Sequence, residues 1–87
     1  MTKQAIRAKV IDLAKQLGND ARKIKDDDVI PSTGFLDSAA LMELVIWLET
    51  ESGLAIDEDQ ITIENFGTID AMANYVERHS GAAGSGA

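Results

Sequence analysis

The most informative part of this sequence is Gly34-Phe35-Leu36-Asp37-Ser38-Ala39-Ala40-Leu41. Asp37 is a residue type that caps helices well, so it predicts a helix whose first residue is Ser38. A serine there projects from the helix mouth, where unpaired backbone N–H groups and the helix dipole stabilise an anion by roughly 0.3–1 kcal/mol. Ser38 is therefore a candidate acceptor for a phosphodiester-linked group, although Asp-Ser taken alone is also an ordinary helix cap.

Four helical segments are predicted around this point, and no sheet, because no alternating apolar pattern is flanked by hairpin turns. The segments run from about Thr2 to Leu17, from Asp37 to about Ser52, from Thr62 to Asn65, and from a cap at Thr68 to about His79. Glycines 18 and 53 follow the first two segments and predict their ends. The inward-facing residues are expected to be Ile6, Val10, Leu13, Leu17, Leu41, Leu44, Val45, Leu48, Ile69, Met72, Ala73 and Val76.

The connection over residues 18–36 is long for so small a bundle, and a long loop indicates a crossover or a functional surface. Its apolar anchors are expected to be Val29, Ile30, Phe35 and Leu36. The domain is predicted to cover residues 1–80. The tail over residues 81–87 contains only Gly, Ala and Ser, and it is predicted to be disordered.

Composition and charge exclude several functions. The chain has 87 residues, enough for one domain, and no cysteine, which excludes disulfides, thiolate metal ligands and thiol catalysis. Residues 1–25 carry seven bases and two acids, whereas residues 26–87 carry one base and thirteen acids, for a net charge of −7. Such a surface repels nucleic acid and attracts basic protein surfaces, although acidity also serves simply for solubility. No apolar run is long enough for a membrane span, and we expect a cytoplasmic monomer.

Groups for catalysis and metal binding are sparse. The single histidine, His79, lies near the end of the last predicted helix, so no Ser-His-Asp arrangement can be built around it. The acidic run from Asp57 begins like a calcium loop but lacks the glycine and glutamate that such a loop requires. The glycines match no phosphate-binding loop. We therefore expect no catalytic residue, no metal site and no enzymatic activity in this chain.

Several short motifs, taken in order along the chain, resemble the acyl carrier protein family over about residues 3–79. They are Gly34-Phe35-Leu36-Asp37-Ser38, Glu43-Leu44-Val45, Leu48-Glu49, Gly53-Leu54-Ala55-Ile56, Thr68-Ile69-Asp70, Met72-Ala73 and Tyr75-Val76. The resemblance implies an all-α, four-helix acyl-carrier-protein-like bundle with three long helices, one short helix and a long first loop. It also implies that Ser38, next to Asp37, carries a 4′-phosphopantetheine arm. A phosphopantetheinyl transferase would supply the arm from coenzyme A, and its thiol would hold an acyl or aminoacyl group as a thioester.

The resemblance further implies that the second helix docks onto partner enzymes. The matching residues are Asp37, Ala39, Met42, Glu43, Ile46, Glu49 and Ile56. Besides the transferase, the expected partners are an acyl- or aminoacyl-loading ligase and downstream transferases or synthases with basic docking surfaces. Ala39 and Ala40 stand where many family members have leucine and an acid, which indicates a specialised carrier of a dedicated pathway.

Alternatives stay open at this level. Met42 and Ile46 could widen the core stripe of the second helix instead of facing partners. Trp47 could cover the core edge or belong to the docking surface. The chain could also be an acidic helical interaction module without a prosthetic group, or a minimal hydrolase that uses Ser38. Only the carrier hypothesis predicts a covalent arm.

Overall fold

The computed structural model describes residues 1–86, with side chains described for residues 1–79. The helices are α1 (Lys3–Gln16), α2 (Ile30–Thr33), α3 (Ser38–Ser52), α4 (Ile63–Phe66) and α5 (Ile69–Gly86), with a 3-10 turn at Glu58–Gln60. No strand occurs in this part of the chain. The all-α carrier-like bundle is confirmed, with a second short helix, α2, added inside the long first loop. The predicted disordered tail over residues 81–87 lies outside the residues whose side chains are described.

The long helices begin where the polar caps predict. Thr2 Oγ1 accepts a hydrogen bond from the Ala5 N–H at 3.1 Å and starts α1. Thr68 Oγ1 accepts one from the Ala71 N–H at 2.9 Å and starts α5. Helix α3 ends at Gly53, whose φ of 74° lies in the left-handed region that glycine adopts without strain. Local capping chemistry therefore sets these boundaries.

One hydrophobic core joins the three long helices. Its largest fully buried side chains are Ile6, Val10, Ile30, Leu44, Leu48, Ile69, Met72 and Val76. Each such burial stabilises the fold by about 1.5–3 kcal/mol. Two predictions of burial are wrong. Leu17 is 45% exposed because α1 ends before it, so that Ala14 takes the inward position, and Val29 is exposed at the N-cap of α2. Leu41 is only partly buried at the core edge.

The long first loop is tied to the segments on both sides of α5's start. The Ile30 N–H donates to the Gly67 carbonyl oxygen at 2.7 Å, and the Asp70 N–H donates to the Asp26 carbonyl oxygen at 3.0 Å. Arg7 of α1 donates to the Asp26 carboxylate and to a nearby loop carbonyl. These bonds fix the loop, which places α2 beside α4 and delivers the chain to the start of α3.

No helix in the part of the chain that the structure describes combines the length and the hydropathy needed to cross a bilayer.

Candidate functional site

Ser38 is the first residue of α3, and its side chain is exposed. Asp37 is the N-cap, and its Oδ1 accepts a hydrogen bond from the Ala40 N–H at 2.8 Å. The Leu41 N–H donates to the Asp37 carbonyl oxygen at 2.9 Å, which closes the first turn. No acidic residue lies within that turn. The helix mouth therefore presents a hydroxyl beside backbone N–H groups that favour an anion.

The approach to Ser38 is an anchored segment. Gly34 ends α2 with a φ of 75°, again in the left-handed region. Asn19, in the turn after α1, donates its side-chain N–H to the Phe35 carbonyl oxygen at 2.9 Å. The side chain of Leu36 is buried in the core. The turn at Gly34, the hydrogen bond from Asn19 and the burial of Leu36 together position the mouth of α3 relative to the end of α1.

An apolar groove opens beside Ser38, between α3 and α4, with a volume of about 240 Å³. It is lined by Pro31, Ser38, Leu41, Met42, Leu44, Val45, Ile61, Thr62, Ile63, Phe66, Gly67 and Met72. Leu44 and Met72 are fully buried and form its floor, whereas Met42 and Ile63 are 45% and 62% exposed and form its rim. The groove can shelter an apolar chain, because an enclosed cavity of about 150 Å³ already admits benzene.

The outward face of α3 carries an exposed strip, which consists of Met42, Glu43 and Ile46. Ile46 is 55% exposed, so neither it nor Met42 widens the core stripe of the helix. Asp37 and Ala39 are also exposed, at the beginning of the same helix. The strip combines apolar surface with a carboxylate, a mixture that suits recognition by a basic partner surface.

Two other residues expected on that face have internal roles. Ile56 is 9% exposed and packs in the core, and its contact with partners stays a prediction. Glu49 is half-buried. Its Oε2 accepts a hydrogen bond from the Ile56 N–H at 2.9 Å, which holds the following loop onto α3. Trp47 packs against the core edge, and Lys9 Nζ of α1 lies 6.0 Å from its ring centroid, at the limit of a cation–π contact. Trp47 therefore covers the core on the α1 side.

His79 is engaged with its own helix. Its ring stacks on Tyr75 at a centroid separation of 4.0 Å, and Nδ1 lies 2.8 Å from the Tyr75 carbonyl oxygen. Tyr75 in turn contacts Phe66 of α4, at 4.7 Å between ring centroids. This packing gives the histidine a structural place within α5.

The ion pairs among the described residues leave α3 untouched. Lys3 pairs with Asp70 at 2.8 Å, which raises the pKa of the lysine. Arg7 pairs with Asp26 of the first loop. Arg22 pairs with Asp20 at 2.8 Å, and hydrogen bonds from its side chain and backbone lower the pKa of Asp20 from 3.8 to about 2. The carboxylates on the outward face of α3 therefore form no ion pair with the described residues.

Fold and site define a class of protein: a small helical bundle that offers one exposed serine at a helix mouth, next to an apolar groove. Residues 7–76 match the family model described as phosphopantetheine attachment site, and the chain belongs to this family of phosphopantetheine-binding carrier domains. Domains of this family bind 4′-phosphopantetheine covalently, are not catalytic themselves, and interact with phosphopantetheinyl transferases and biosynthetic enzymes. No solved structure matches the chain significantly.

Proposed function

We propose that this chain is an acyl carrier protein whose arm is attached to Ser38 Oγ. The supporting observation is that Ser38 is exposed at the first position of α3, inside the region that matches the carrier family. Attachment forms a phosphodiester bond at Oγ and breaks the pyrophosphate bond of coenzyme A. Adenosine 3′,5′-bisphosphate leaves, and the hydroxyl proton passes to the transferase or to solvent. The thiol of the attached arm supplies the thioester chemistry.

The chain's own residues position this reaction and do not catalyse it. Asp37 holds the first turn of α3 through its bond to the Ala40 N–H, which keeps the Ser38 hydroxyl at the helix mouth. The first-turn N–H groups and the helix dipole offset the negative charge of the attached phosphate. We propose that the chain has no enzymatic activity and acts as a monomer in the cytoplasm, the compartment that supplies coenzyme A.

Intact mass measured before and after incubation with coenzyme A and a broad-specificity phosphopantetheinyl transferase tests the attachment site. Wild type should gain the mass of one arm, and Ser38→Ala should gain none. Ser32→Ala is the matched control, because Ser32 is an exposed serine on α2. That variant should gain the arm as wild type does. A gain that persists in Ser38→Ala would move the site, and no gain in wild type would refute the carrier function.

We further propose that the cargo is acyl rather than aminoacyl, in fatty acid or secondary metabolite biosynthesis. The support is the apolar groove beside Ser38, whose floor consists of the buried Leu44 and Met72. If two methylene groups of an acyl chain are buried in this groove, the free energy of unfolding rises by at most about 1.6 kcal/mol. At 4–8 °C per kcal/mol for a domain of this size, the melting temperature would rise by at most about 6–13 °C. A charged aminoacyl group gains nothing from apolar walls.

Loading the chain with an octanoyl arm or an alanyl arm, from the corresponding coenzyme A thioesters, distinguishes the two kinds of cargo. The octanoyl form should melt several degrees higher and should shift the methyl resonance of Met72. The alanyl form is the matched control and should melt like the chain with a free thiol. Equal melting temperatures, or no shift at Met72, would contradict an acyl cargo held in the groove.

We also propose that partner enzymes dock on the exposed strip of α3, with basic groups facing Glu43 and apolar groups facing Met42 and Ile46. The support is the exposure of these side chains and the absence of α3 from the ion pairs of the described residues. Ile46→Gln should slow the transferase without lowering the melting temperature. The rate at which the chain associates with the transferase should fall steeply between about 0.01 M and 0.15 M salt, because the screening length drops from about 30 Å to about 8 Å. A salt-independent rate would leave apolar contact as the main determinant.

A further inference from the structure

The backbone of Phe35, three positions before Ser38, is held by side chains from two different parts of the fold. The Phe35 N–H donates to Thr33 Oγ1 at 3.2 Å, and Thr33 is the last residue of α2. The Phe35 carbonyl oxygen accepts a hydrogen bond from the Asn19 side-chain N–H at 2.9 Å. We call this pair of hydrogen bonds, made by Thr33 and Asn19, the Phe35 clamp.

The Thr33 side of the clamp is anchored through α2. The Thr33 hydroxyl donates to the Ile30 carbonyl oxygen at 2.6 Å, so its proton is engaged and its oxygen is oriented as an acceptor for Phe35. The Ile30 N–H in turn donates at 2.7 Å to the carbonyl oxygen of Gly67, the C-cap of α4. This short helix therefore connects the approach to Ser38 with the other end of the bundle.

The Asn19 side of the clamp is anchored at the end of α1. Gly18 has a φ of 81°, and its N–H donates to the Lys15 carbonyl oxygen at 3.0 Å. The Asn19 N–H donates to the Ala14 carbonyl oxygen at 2.8 Å. These two bonds form a Schellman motif, which fixes the direction of a chain as it leaves a helix. The Asn19 side chain therefore extends from a fixed backbone.

Only two residues separate Phe35 from Ser38, and both are held. Leu36 is buried in the core, and Asp37 caps α3. A segment so short and so constrained transmits a displacement of Phe35 to the start of α3. The position of the Ser38 backbone therefore depends on both sides of the clamp.

We propose that Asn19 and Thr33 are positioning residues for arm attachment. They act through Phe35 and hold Ser38 so that its Oγ faces the phosphorus atom at which the transferase breaks the pyrophosphate bond of coenzyme A. The inference rests on the proposed function. A misplacement of about 1 Å can lower the rate of a reaction by about 100-fold, so a loosened clamp should reduce kcat. Neither residue belongs to the exposed strip of α3, so the transferase's KM for the chain should not change.

The kinetics of arm transfer, followed by intact mass well below the melting temperature of every variant, test this role. Thr33→Val keeps the shape of the side chain but removes the hydroxyl, and Asn19→Ala removes the amide. Each should lower the transferase's kcat by roughly tenfold with little change in KM. Thr33→Ser keeps the hydroxyl and should restore kcat. Wild-type kcat in both Thr33→Val and Asn19→Ala would overturn the inference.

Asn65→Ala is the matched control for a loss of stability. The Asn65 side-chain N–H donates to the Gln60 carbonyl oxygen at 2.8 Å, an exposed bond of the same kind as that of Asn19 but between α3 and α4 rather than before Ser38. Asn65→Ala should lower the melting temperature about as much as Asn19→Ala does, and it should keep the wild-type kcat. If both variants lose kcat equally, the bonds act through stability and the positioning role is refuted.

Backbone ¹⁵N relaxation of the chain without its arm measures the clamp without the transferase. Thr33→Val and Asn19→Ala should lower the order parameter of the Ser38 amide from about 0.85, the value of rigid backbone, toward about 0.6. An unchanged order parameter in both variants would refute the clamp. If wild type gains the arm and the variants gain it equally fast, the positioning role alone fails. If wild type gains no arm, the proposed function fails, whatever the relaxation data show.

Discussion

Replacing Asp37 by alanine tests how the mouth of α3 is held. The Asp37 carboxylate makes one cap bond, from Oδ1 to the Ala40 N–H at 2.8 Å. Loss of such a cap costs about 0.5–2 kcal/mol, typically near 1. For a domain of this size a loss of about 1 kcal/mol lowers the melting temperature by about 4–8 °C. We expect Asp37→Ala to show this decrease, and to accept the arm more slowly because the first turn of α3 frays.

Thermal unfolding followed by circular dichroism measures the effect, with two variants as controls. Asp37→Asn keeps an acceptor oxygen at the same place and should lose little stability. Asp57→Ala removes a carboxylate of equal charge at the N-cap of the 3-10 turn, where the side chain makes no cap bond. Its melting temperature should hardly change. If the melting temperature of Asp57→Ala or Asp37→Asn decreases as much as that of Asp37→Ala, the cap bond is not what stabilises the start of α3, and the prediction is refuted.

Three further outcomes follow from contacts elsewhere in the fold. Arg7→Lys should lower the free energy of unfolding in urea by about 1–2 kcal/mol, because lysine cannot donate to the Asp26 carboxylate and the loop carbonyl together; an unchanged midpoint would contradict this role. Arg22→Gln should return the pKa of Asp20 from about 2 toward 3.8 in an NMR carboxyl titration. Because the pKa of Asp20 is lowered in the folded state, the Asp20–Arg22 pair stabilises the fold at pH values above the pKa of Asp20 in the unfolded chain. This stabilisation is lost as the pH falls toward 2, so wild type and Arg22→Gln should be equally stable there. Gly53→Ala should destabilise the chain by about 1–2 kcal/mol in urea, since alanine is strained at a φ of 74°; no loss would mean that the turn rearranges.

The helices could be predicted because their boundaries depend on local chemistry. The cap at Asp37, followed by apolar periodicity, and the cap at Thr62 before a single turn predict helix starts that the structure confirms. Helix α2 is not among the predicted segments, although Pro31 in its first turn and Gly34 at its end are signals of a short helix. The prediction that Leu17 is buried is wrong because its spacing continues the helical period beyond the last turn of α1.

The candidate site could be predicted only in part. Ser38 and its cap are neighbours along the chain, so the sequence is enough to place the hydroxyl at a helix mouth. The apolar groove needs residues from separate helices, and no periodicity reveals which helices meet. Ile56 illustrates the same limit, because its N–H donates to Glu49, seven positions earlier, a contact that no local pattern of the sequence indicates.

If the groove receives the proposed acyl cargo, the two backbone hydrogen bonds that join the first loop to the start of α5 affect the entropy cost of its entry. They hold the Ile30 and Asp26 backbones against Gly67 and Asp70, and Pro31, the next residue, lines the groove. Fixing the backbone of a free residue costs about 1–2 kcal/mol. If the loop were mobile, each incoming chain would have to order it, and this entropy cost would reduce the free energy of binding. Here the wall is preorganised, so an entering chain keeps the free energy of its own contacts.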